Sequence, residues 1–420
     1  MNRALALLIA AAGVLPAAAG DPALAAPARL RIATFNCSLN RPEEGGLIRS
    51  LSTPDDAQAR AVAEIIRRVQ PDILLLQEFD YDARGEALRL FQANYLTRDV
   101  DGLEPARFRY SFLAPSNTGT PSGFDLDHDG RVGGGGDALG FGEFPGQYGM
   151  VLLSRFRIDS AAVRTFRRFP WRDMPGALLP DDPATPAPND WYSPEMLAVL
   201  PLSSKSHWDV PVIVDARHTL HLLASHPTPP AFDGPEDRNG RRNHDEVRFW
   251  SDYLDGARYL RDDAGRAGGF TGEAFVIMGD QNSDPVDGAS LHDAIRTLLG
   301  NRRVDPVFVP RSEGAAEAAA VQGGANAGQD GDPHLDTADF NDRVAGNLRV
   351  DYLLPSKGLR VCGGGVFWPR QSEATARLVW GDRPPPGSDH RLVWLDVSVA
   401  GSRCPPGSDP TTSDPSHPGR

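Results

Sequence analysis

Acid, amide and imidazole side chains repeatedly follow apolar, strand-like runs in this chain of 420 residues. In an open α/β structure the strand ends converge on one crevice where ligands bind, so we expect these side chains to lie close together. Carboxylates, amides and imidazoles gathered in one crevice can bind a hard cation and hydrolyse a phosphate ester. The residues concerned are Asn36, Gln77, Glu78, His226, Asp280, Gln281, Asn282, Asp351, Asp389 and His390.

The elements that would position these side chains alternate between strand and helix patterns. Consecutive strand patterns between residues 197 and 225, without a helix pattern between them, predict antiparallel pairing. Mixed sheets covered by helices therefore fit better than an all-parallel sheet. The predicted strands are Leu30–Asn36, Ile73–Gln77, Met150–Leu153, Leu197–Leu200, Val210–Val214, Thr219–Ser225, Ala274–Met278, Val350–Leu354 and Leu392–Val399.

Three amphipathic segments predict helices. The first has Thr53 as its N-cap and Pro54 at its first helical position, and it stops at Pro71. The other two are Ala83–Tyr95 and Asn243–Arg261.

One catalytic domain is predicted over residues 28–400. Within it, the Ala/Gly-rich stretch Glu313–Asp332 has no apolar period, so we expect a mobile surface excursion without chemistry. Residues 401–420 are rich in Pro, Ser, Asp and Gly and predict a disordered tail.

The N-terminus predicts export. Arg3 precedes the apolar run Ala4–Leu15, which is too short to span a bilayer comfortably. Both Ala17–Ala19 and Ala23–Ala25 suit a signal peptidase, and we favour a signal peptide over residues 1–25. The protein is then secreted or periplasmic, without stable membrane insertion; an uncleaved anchor is the alternative.

Export allows disulfide bonds among the cysteines. Cys362 and Cys404 could pair and pin the tail, although spacing alone does not establish connectivity. Cys37 follows a buried strand pattern, so we expect it to pack as a small apolar residue.

The strand-end motifs, taken in order, resemble those of the endonuclease/exonuclease/phosphatase superfamily of metal-dependent phosphodiesterases. The resemblance implies a four-layer α/β/β/α sandwich, in which two mixed β-sheets pack face to face with helices outside. The matching motifs are Thr34–Asn36, Leu76–Glu78, Tyr148–Arg155, Ser225–His226, Gly279–Pro285, Arg349–Tyr352 and Ser388–His390.

The first group of site residues concerns the metal. A phosphodiester is negatively charged and repels hydroxide, so catalysis needs a cation and donors on the phosphoryl oxygens. Glu78 is the expected ligand for Mg²⁺ or Mn²⁺. Asn36 would donate to the phosphate or complete the metal shell, and Asp389 is available as a further carboxylate.

The second group concerns the reacting atoms, with roles implied by the resemblance. Asp280 would position or deprotonate the attacking water, and Asn282 would donate to a phosphoryl oxygen. His390 would lie beside the phosphate, with Asp351 fixing its tautomer. His226 is a candidate acid near the leaving-group oxygen.

The loop after His226 is longer than a plain superfamily nuclease needs. Glu143 and Gln147 are candidates to orient the His226 ring. The loop leads arginines toward a helix N-terminus, and both features favour phosphate, although solvated loop arginines are an equal alternative. The expected substrate-binding residues here are Arg238, Arg242 and Asn243.

A second metal motif has the alternating carboxylates of a calcium loop, at Asp125, Asp127 and Asp129. The twelfth position is Gly136 instead of glutamate, and Asp137 falls one residue late. A lone Ca²⁺-stabilised loop and an acidic turn without metal both remain open.

These observations predict an exported metal-dependent phosphoester hydrolase, in which water attacks a metal-bound phosphate in line. The net charge of −13 argues against tight nonspecific binding to nucleic acid, but it leaves a nuclease open. Nucleic acid, phospholipid headgroups and small phosphoesters are all candidate substrates. The alternative is a noncatalytic, Ca²⁺-stabilised exported binding module with the same fold.

Overall fold

The computed structural model describes residues 29–99, 102–381, 385–398 and 404. The predicted signal peptide, residues 1–25, and the predicted tail apart from Cys404 lie outside the described residues. In the part of the chain that is described, no helix combines the length and apolar character needed to cross a membrane.

The described residues form fourteen β-strands. They are β1 Leu30–Asn36, β2 Ile73–Gln77, β3 Tyr110–Phe112, β4 Met150–Ser154, β5 Arg157–Ile158, β6 Arg164–Thr165, β7 His207–Ile213, β8 Thr219–Ser225, β9 Ala274–Asp280, β10 Ala338–Asp339, β11 Asn347–Leu348, β12 Asp351–Pro355, β13 Arg360–Val366 and β14 Val393–Ser398.

Seven α-helices accompany these strands in the described residues. They are α1 Gly46–Leu51, α2 Ala57–Val69, α3 Glu86–Phe91, α4 Pro194–Val199, α5 Arg238–Leu254, α6 His292–Leu299 and α7 Glu313–Gln322, and a π-helical turn, Gln92–Leu96, extends α3.

Two mixed sheets form the centre of the fold. The first has the strand order β13-β14-β1-β2-β4-β3, and the second has the order β12-β9-β8-β7-β5, with β6 also paired to β7. Each sheet contains one parallel pair, β1 with β2 and β8 with β9, surrounded by antiparallel neighbours. The predicted mixed sheets are therefore confirmed.

The side-chain alternation of β9 shows how the layers pack. Val276 and Met278 lie in the core shared with the first sheet, whereas Phe275 and Ile277 face the other way, into a core built with α5. Successive residues of a strand point to opposite faces, so one apolar strand can serve both cores. With α2 packed in the first core, the result is the four-layer sandwich implied by the resemblance.

Four predicted elements need correction. Leu197–Leu200 is not a strand, because Ser193 caps α4 and Pro194 opens it. The first predicted helix starts later, since Asp56, and not Thr53, caps α2 by accepting from Ala59 N. The third starts earlier, at Arg238. The Ala-rich stretch contains α7, whose Ala315 and Ala318 are buried against the first core.

The cysteines follow the predictions. Cys362 and Cys404 form a disulfide bond that ties the end of the described chain to β13. Cys37 is fully buried, and burial raises the pKa of its thiol to about 12. Cys37 is therefore an unreactive core residue.

A buried carboxyl group makes stability depend on pH. Asp336 is 7% exposed, and its Oδ2 has no hydrogen-bond partner among the described residues. Burial, reinforced by the charges of Asp284, Asp287 and Asp332, raises the pKa of Asp336 to about 8. The pKa of Asp336 is higher in the folded state than in the unfolded state. The contribution of this group to the free energy of unfolding is therefore fully present below about pH 4, where the carboxyl group is protonated in both states, and it is lost as the pH rises through about 8.

We therefore expect Asp336→Asn to match the wild-type free energy of unfolding near pH 4 and to exceed it by about 1–3 kcal/mol at alkaline pH. Urea unfolding at both pH values measures the difference. Asp330→Asn, at an exposed position, is the control and should show no such gain. An Asp336→Asn variant that is no more stable than wild type at alkaline pH would contradict the assignment.

Candidate active site

Strand pairing in the first sheet brings the metal-side residues together. The parallel register of β1 and β2 aligns Asn36 with Gln77, so Glu78 follows at the same edge. Asn36 Nδ2 donates to Glu78 Oε1 at 3.2 Å, and Asn40 Nδ2 donates to Glu78 Oε2 at 3.0 Å. The Glu78 carboxylate is thus held by two uncharged donors.

Pairing in the second sheet assembles the residues around the reacting atoms. The antiparallel register of β9 and β12 sets Asp280 directly opposite Asp351. The parallel register of β8 and β9 aligns Ala224 with Met278, so His226 and Asp280, two residues further on, reach the same edge. The pairing registers of these strands therefore bring His226, Asp280 and Asp351 together, although they are far apart in the sequence.

The segment before β14 completes the edge. β14 runs antiparallel to β1, so the residues that precede it lie beyond Asn36. Buried Arg391 fixes this segment, because its guanidinium donates to Ser388 O at 2.8 Å and pairs with Asp339 at 2.9 Å. Asp389 and His390 are thereby presented to the crevice from a rigid support.

Asp280 Oδ2 is the point at which the two sheets' side chains meet. It accepts from Asn36 Nδ2 at 3.1 Å. His226 Nε2 lies 3.4 Å from it and His390 Nε2 lies 3.6 Å from it. Asp280 Oδ1 accepts from Asn282 N at 2.8 Å. Burial raises the pKa of Asp280 to about 7, against the opposing charge of His390.

His390 is held as a cation. Its Nδ1 donates to Asp351 Oδ2 at 2.9 Å, and the same oxygen accepts from Thr337 Oγ1 at 2.9 Å. Burial opposes the charged imidazolium, but Asp351 and then Asp280 outweigh it and raise the pKa of His390 well above its ordinary value. The predicted pairing of Asp351 with His390 is therefore present in the structure.

His226 has the opposite character. Burial, reinforced by the positive charges of Lys205 and His390, lowers the pKa of His226 well below its ordinary value. The lowered pKa favours a neutral ring, whose Nε2 lies 3.4 Å from Asp280 Oδ2. A neutral imidazole can orient Asp280 as a donor, and the role of His226 as an acid stays a prediction.

Neither expected partner forms a hydrogen bond with His226 among the described residues: Glu143 is exposed, and the Gln147 side chain bonds to other groups. Gln147 Nε2 donates to Arg41 O at 2.8 Å, and Gln147 Oε1 accepts from Glu143 N at 2.8 Å. Asp280 therefore takes the place of both candidates as the contact of the His226 ring.

Four residues of this edge have left-handed backbone. The φ angles are 49° at Ser38, 55° at Glu78, 55° at Tyr148 and 49° at Asn282. Such conformations cost non-glycine residues about 1 kcal/mol or more and persist where the surrounding fold imposes them, most often at functional sites. In the described part of the chain, four of the nine non-glycine residues with positive φ thus lie at this edge.

The donor chemistry at Glu78 fits a hard divalent cation. Burial, and next the charge of Asp389, raise the pKa of Glu78, so a cation between the two carboxylates would relieve both effects. Asn36 is beside them, and rotation of its amide would present oxygen in place of nitrogen. Oxygen ligands of this kind suit Mg²⁺ or Mn²⁺.

A second set of atoms also has metal-ligand spacing. Ligand atoms of Asp280, Asp351 and His390 lie within 4.8 Å of one another. Here His390 uses Nδ1 for Asp351 and is cationic, which makes it a poor metal ligand. Glu78 therefore stays the predicted ligand of the cation, with the Asp280–Asp351–His390 group as the other candidate.

Lys205 is a neighbour of the site that the sequence analysis did not identify, and Tyr148 is a neighbour that it placed in a motif without assigning a role. Lys205 precedes β7, whose antiparallel register with β8 sets His207 opposite Ser225. Tyr148 precedes β4, which runs antiparallel to β2. An antiparallel strand begins at the edge where its neighbour ends, so residues that precede strands, as well as those that follow them, mark this crevice.

The loop arginine and amide predicted to bind phosphate have structural roles. Arg242 is 9% exposed, and its guanidinium donates to the carbonyl oxygens of Leu202, Leu139 and Pro201. Asn243 Nδ2 donates to the carbonyl oxygens of Thr228 and Gln281. These hydrogen bonds to backbone carbonyls hold neighbouring segments of the fold together, and they do not support the expected contacts with phosphate.

Arg238 is also engaged. Its Nη1 pairs with Glu236 Oε1 at 2.6 Å, and 19% of its side chain is exposed. It is the one member of the predicted phosphate-binding set with a partly exposed guanidinium.

The acidic loop has a different third member from the predicted one. Ligand oxygens of Asp125, Asp127 and Asp137 lie within 4.8 Å of one another, whereas Asp129 is exposed and contributes its backbone N–H to Asp125 Oδ1. A Cβ on Gly136 would lie 2.0 Å from Asp127 Oδ2, so a glutamate there would require the Asp127 side chain to move out of the cluster. This acidic cluster could bind a divalent cation.

Comparison with known proteins connects this geometry to a family. A profile of the Endonuclease/Exonuclease/phosphatase family matches residues 33–390. No curated protein matches the sequence.

Among solved structures, an endonuclease/exonuclease/phosphatase from Beutenbergia cavernae DSM 12333 is 18% identical, with 89% of this chain and 72% of that chain covered and a TM-score of 0.48. Sphingomyelinase C from Streptomyces griseocarneus is 15% identical, covers 88% and 99%, and has a TM-score of 0.43. Truncated Caenorhabditis elegans TDP2 is 16% identical, covers 88% and 97%, and has a TM-score of 0.39.

Proposed function

The chain belongs to the endonuclease/exonuclease/phosphatase family of phosphoester hydrolases, and we propose that it is an exported, divalent-metal-dependent phosphodiesterase. The observation that carries the proposal is the environment of Asp280. One buried carboxyl group, with a pKa of about 7, sits between a neutral imidazole and a cationic one. A noncatalytic binding module would have no need of this arrangement.

Asp280 is suited to act as the base. A carboxyl group with a pKa near the working pH can hold a water and accept its proton as the water attacks phosphorus. The hydrogen bonds from Asn36 Nδ2 and Asn282 N fix both carboxylate oxygens, and His226 orients the same group from the other side.

The remaining groups stabilise the phosphoryl charge that grows during attack. His390 presents a cationic Nε2 beside Asp280, and the amide of Asn282, which donates to Pro227 O at 3.1 Å, is close by. Fixed donors aimed at developing charge are often the largest contribution to catalysis. A divalent cation held by Glu78, with Asn36 and Asp389 beside it, would add Lewis-acid stabilisation.

The charge balance favours a diester over a monoester. The four carboxylates exceed the two cationic side chains by two charges, and one bound divalent cation would offset that excess. The crevice then has no surplus positive charge for a dianionic monoester, so a monoanionic diester needs less charge compensation. The carboxylates are Glu78, Asp280, Asp351 and Asp389, and the cations are His390 and Lys205.

A comparison of two chromogenic substrates tests the proposal. Hydrolysis of bis-p-nitrophenyl phosphate should exceed that of p-nitrophenyl phosphate, disappear with EDTA and return with Mg²⁺ or Mn²⁺. Glu78→Gln should raise the metal concentration for half-maximal activity at least about tenfold. Glu43→Gln, with 77% of its side chain exposed, should not. EDTA-resistant activity or a preference for the monoester would count against the proposal.

Export is supported by the N-terminal pattern and by the Cys362–Cys404 disulfide, since disulfides persist in oxidising compartments. Expression with the full N-terminus should place a mature chain that starts after Ala25 in the periplasm or medium. Mass spectrometry of its N-terminus checks this, and a cytoplasmic chain with an intact N-terminus would refute export.

The acidic loop supports Ca²⁺ as a stabilising ion. We expect Ca²⁺ to raise the thermal midpoint of the wild-type protein relative to EGTA, and Asp137→Asn to remove most of that increase. Asp129→Asn, outside the carboxylate cluster, should retain it. Equal midpoints of the wild type with Ca²⁺ and EGTA would exclude a stabilising role.

A further inference from the structure

Lys205 is one of only two lysines in a chain that contains 43 lysines and arginines in total. It is 7% exposed, and its Nζ donates a hydrogen bond to Pro227 O at 3.4 Å. Buried ammonium groups are normally paired with an acid, yet among the described residues Lys205 forms no ion pair within 4 Å. Its charge is therefore available to a ligand.

The ammonium group of Lys205 stands beside the other donors of the crevice. Asn282 Nδ2 donates to the same Pro227 O at 3.1 Å, so both groups flank one carbonyl. Burial lowers the pKa of Lys205, and the charges of Glu246, then Glu78 and Asp280, oppose that effect without reversing it. The Lys205 ammonium and the Asn282 amide therefore lie side by side at Pro227 O, next to the end of β9 that carries Asp280.

A buried glutamate fixes this part of the crevice wall. Glu246, in α5, is 1% exposed. Its Oε1 accepts from Ser204 N at 2.6 Å and from Ser204 Oγ at 3.0 Å, and its Oε2 accepts from Thr228 N at 2.6 Å. These bonds tie together the segments that carry Lys205 and Pro227, so the position of the ammonium group depends on Glu246.

We propose that Lys205 binds a non-bridging oxygen of the substrate's phosphoryl group together with Asn282, and that Glu246 is the positioning residue for Lys205. The inference rests on the proposed phosphodiesterase function. A lysine suits this closed wall because its ammonium is a compact point charge, whereas a guanidinium is a wide planar fork. Phosphate oxygens are ligands for which such a charge is well adapted.

Steady-state kinetics of two lysine variants test the contact. Lys205→Met should lower kcat/KM for bis-p-nitrophenyl phosphate about 100-fold, in line with the loss of one charge-stabilising donor. It should also raise the inhibition constant of inorganic phosphate about tenfold or more. Lys205→Arg should retain more activity than Lys205→Met. Lys357→Met, at the exposed second lysine, should stay within about twofold of wild type.

A double-mutant cycle tests the positioning role. Glu246→Gln should raise the inhibition constant of inorganic phosphate severalfold when it is introduced into the wild-type protein. It should have little further effect when it is introduced into the Lys205→Met variant. A purely structural role of Glu246 would instead give the same change in both backgrounds and would overturn this part of the proposal.

Labelling of the wild-type protein provides a readout that needs neither turnover nor a folded variant. In the presence of Mg²⁺, inorganic phosphate should slow acetylation of Lys205 by acetic anhydride and leave Lys357 unchanged, as measured by mass spectrometry of the two peptides. Two results together would overturn the Lys205 inference alone, provided that activity still depends on Asp280. Phosphate would fail to slow the acetylation of Lys205, and the kinetics of Lys205→Met would match those of the wild type. Protection in a protein that hydrolyses no phosphoester would instead overturn the proposed function.

Discussion

Replacing Asp280 with asparagine is expected to lower kcat for bis-p-nitrophenyl phosphate by about a thousandfold or more. The amide keeps the shape of the carboxylate and can still accept from Asn282 N, but it cannot take a proton from water. The wild-type pKa of about 7 also implies that activity rises through neutral pH as Asp280 ionises. Steady-state kinetics with saturating Mg²⁺ measure both effects.

Two controls separate loss of the base from loss of the fold or the metal. Asp293→Asn changes an aspartate whose side chain is 79% exposed, so its kcat should stay within about twofold of wild type. In Asp280→Asn, the Mg²⁺ concentration for half-maximal residual activity should be nearly unchanged, because Glu78 is the predicted ligand of the cation. A variant that keeps more than about a tenth of wild-type kcat would remove Asp280 from the role of base.

The predictability of this site follows from sheet geometry. Parallel strands end at one edge of a sheet, so polar residues at the ends of apolar runs can be recognised in the sequence as site residues. The residues found in this way lie at the ends of parallel strands or directly after them: Asn36, Glu78, His226 and Asp280. Lys205 escapes this pattern because it precedes an antiparallel strand. Its position becomes apparent only when the direction of β7 is known.

The loop after His226 shows what local sequence does not contain. An arginine beside a phosphate and an arginine that braces a loop have the same sequence appearance. The role of Arg242 is decided by the carbonyls of Leu139 and Pro201, which are distant in sequence, and by burial to 9% exposure. The prediction for Arg242 therefore failed because contacts with residues distant in sequence determine its role.

Two secondary-structure errors have local causes. A four-residue apolar run such as Leu197–Leu200 fits a strand or a buried helix equally well by periodicity, and the Ser193 cap was the signal that distinguished them. In α7 the alanines have high helix propensity but form no apolar stripe, so the hydrophobic periodicity does not indicate a helix. Gly314 is needed there because a Cβ would lie 2.0 Å from Trp368 O.

His390→Ala is expected to lower kcat/KM about a thousandfold, since it removes the cation beside the phosphoryl group. Asp351→Asn should have a smaller direct effect, about tenfold to a hundredfold, but a diagnostic effect on pH dependence. Asp351 is the largest contribution that raises the pKa of His390, so its loss lowers that pKa. Activity that requires the imidazolium is present below this pKa and lost above it. The alkaline limb of the kcat/KM profile should therefore move to lower pH in Asp351→Asn.

The matched control is another aspartate–histidine pair, in which the aspartate is buried and the histidine is partly exposed. His221 Nδ1 lies 2.6 Å from Asp209 Oδ1, and Asp209 also accepts from Tyr253 Oη, away from the catalytic contacts. Asp209→Asn should lower the thermal midpoint and leave the pH profile in place, which separates a general effect of removing a buried carboxylate from a specific effect on His390. An alkaline limb that stays in place in Asp351→Asn would show that imidazolium charge does not limit the reaction, and His390 would then act as a neutral hydrogen-bond donor to the phosphate.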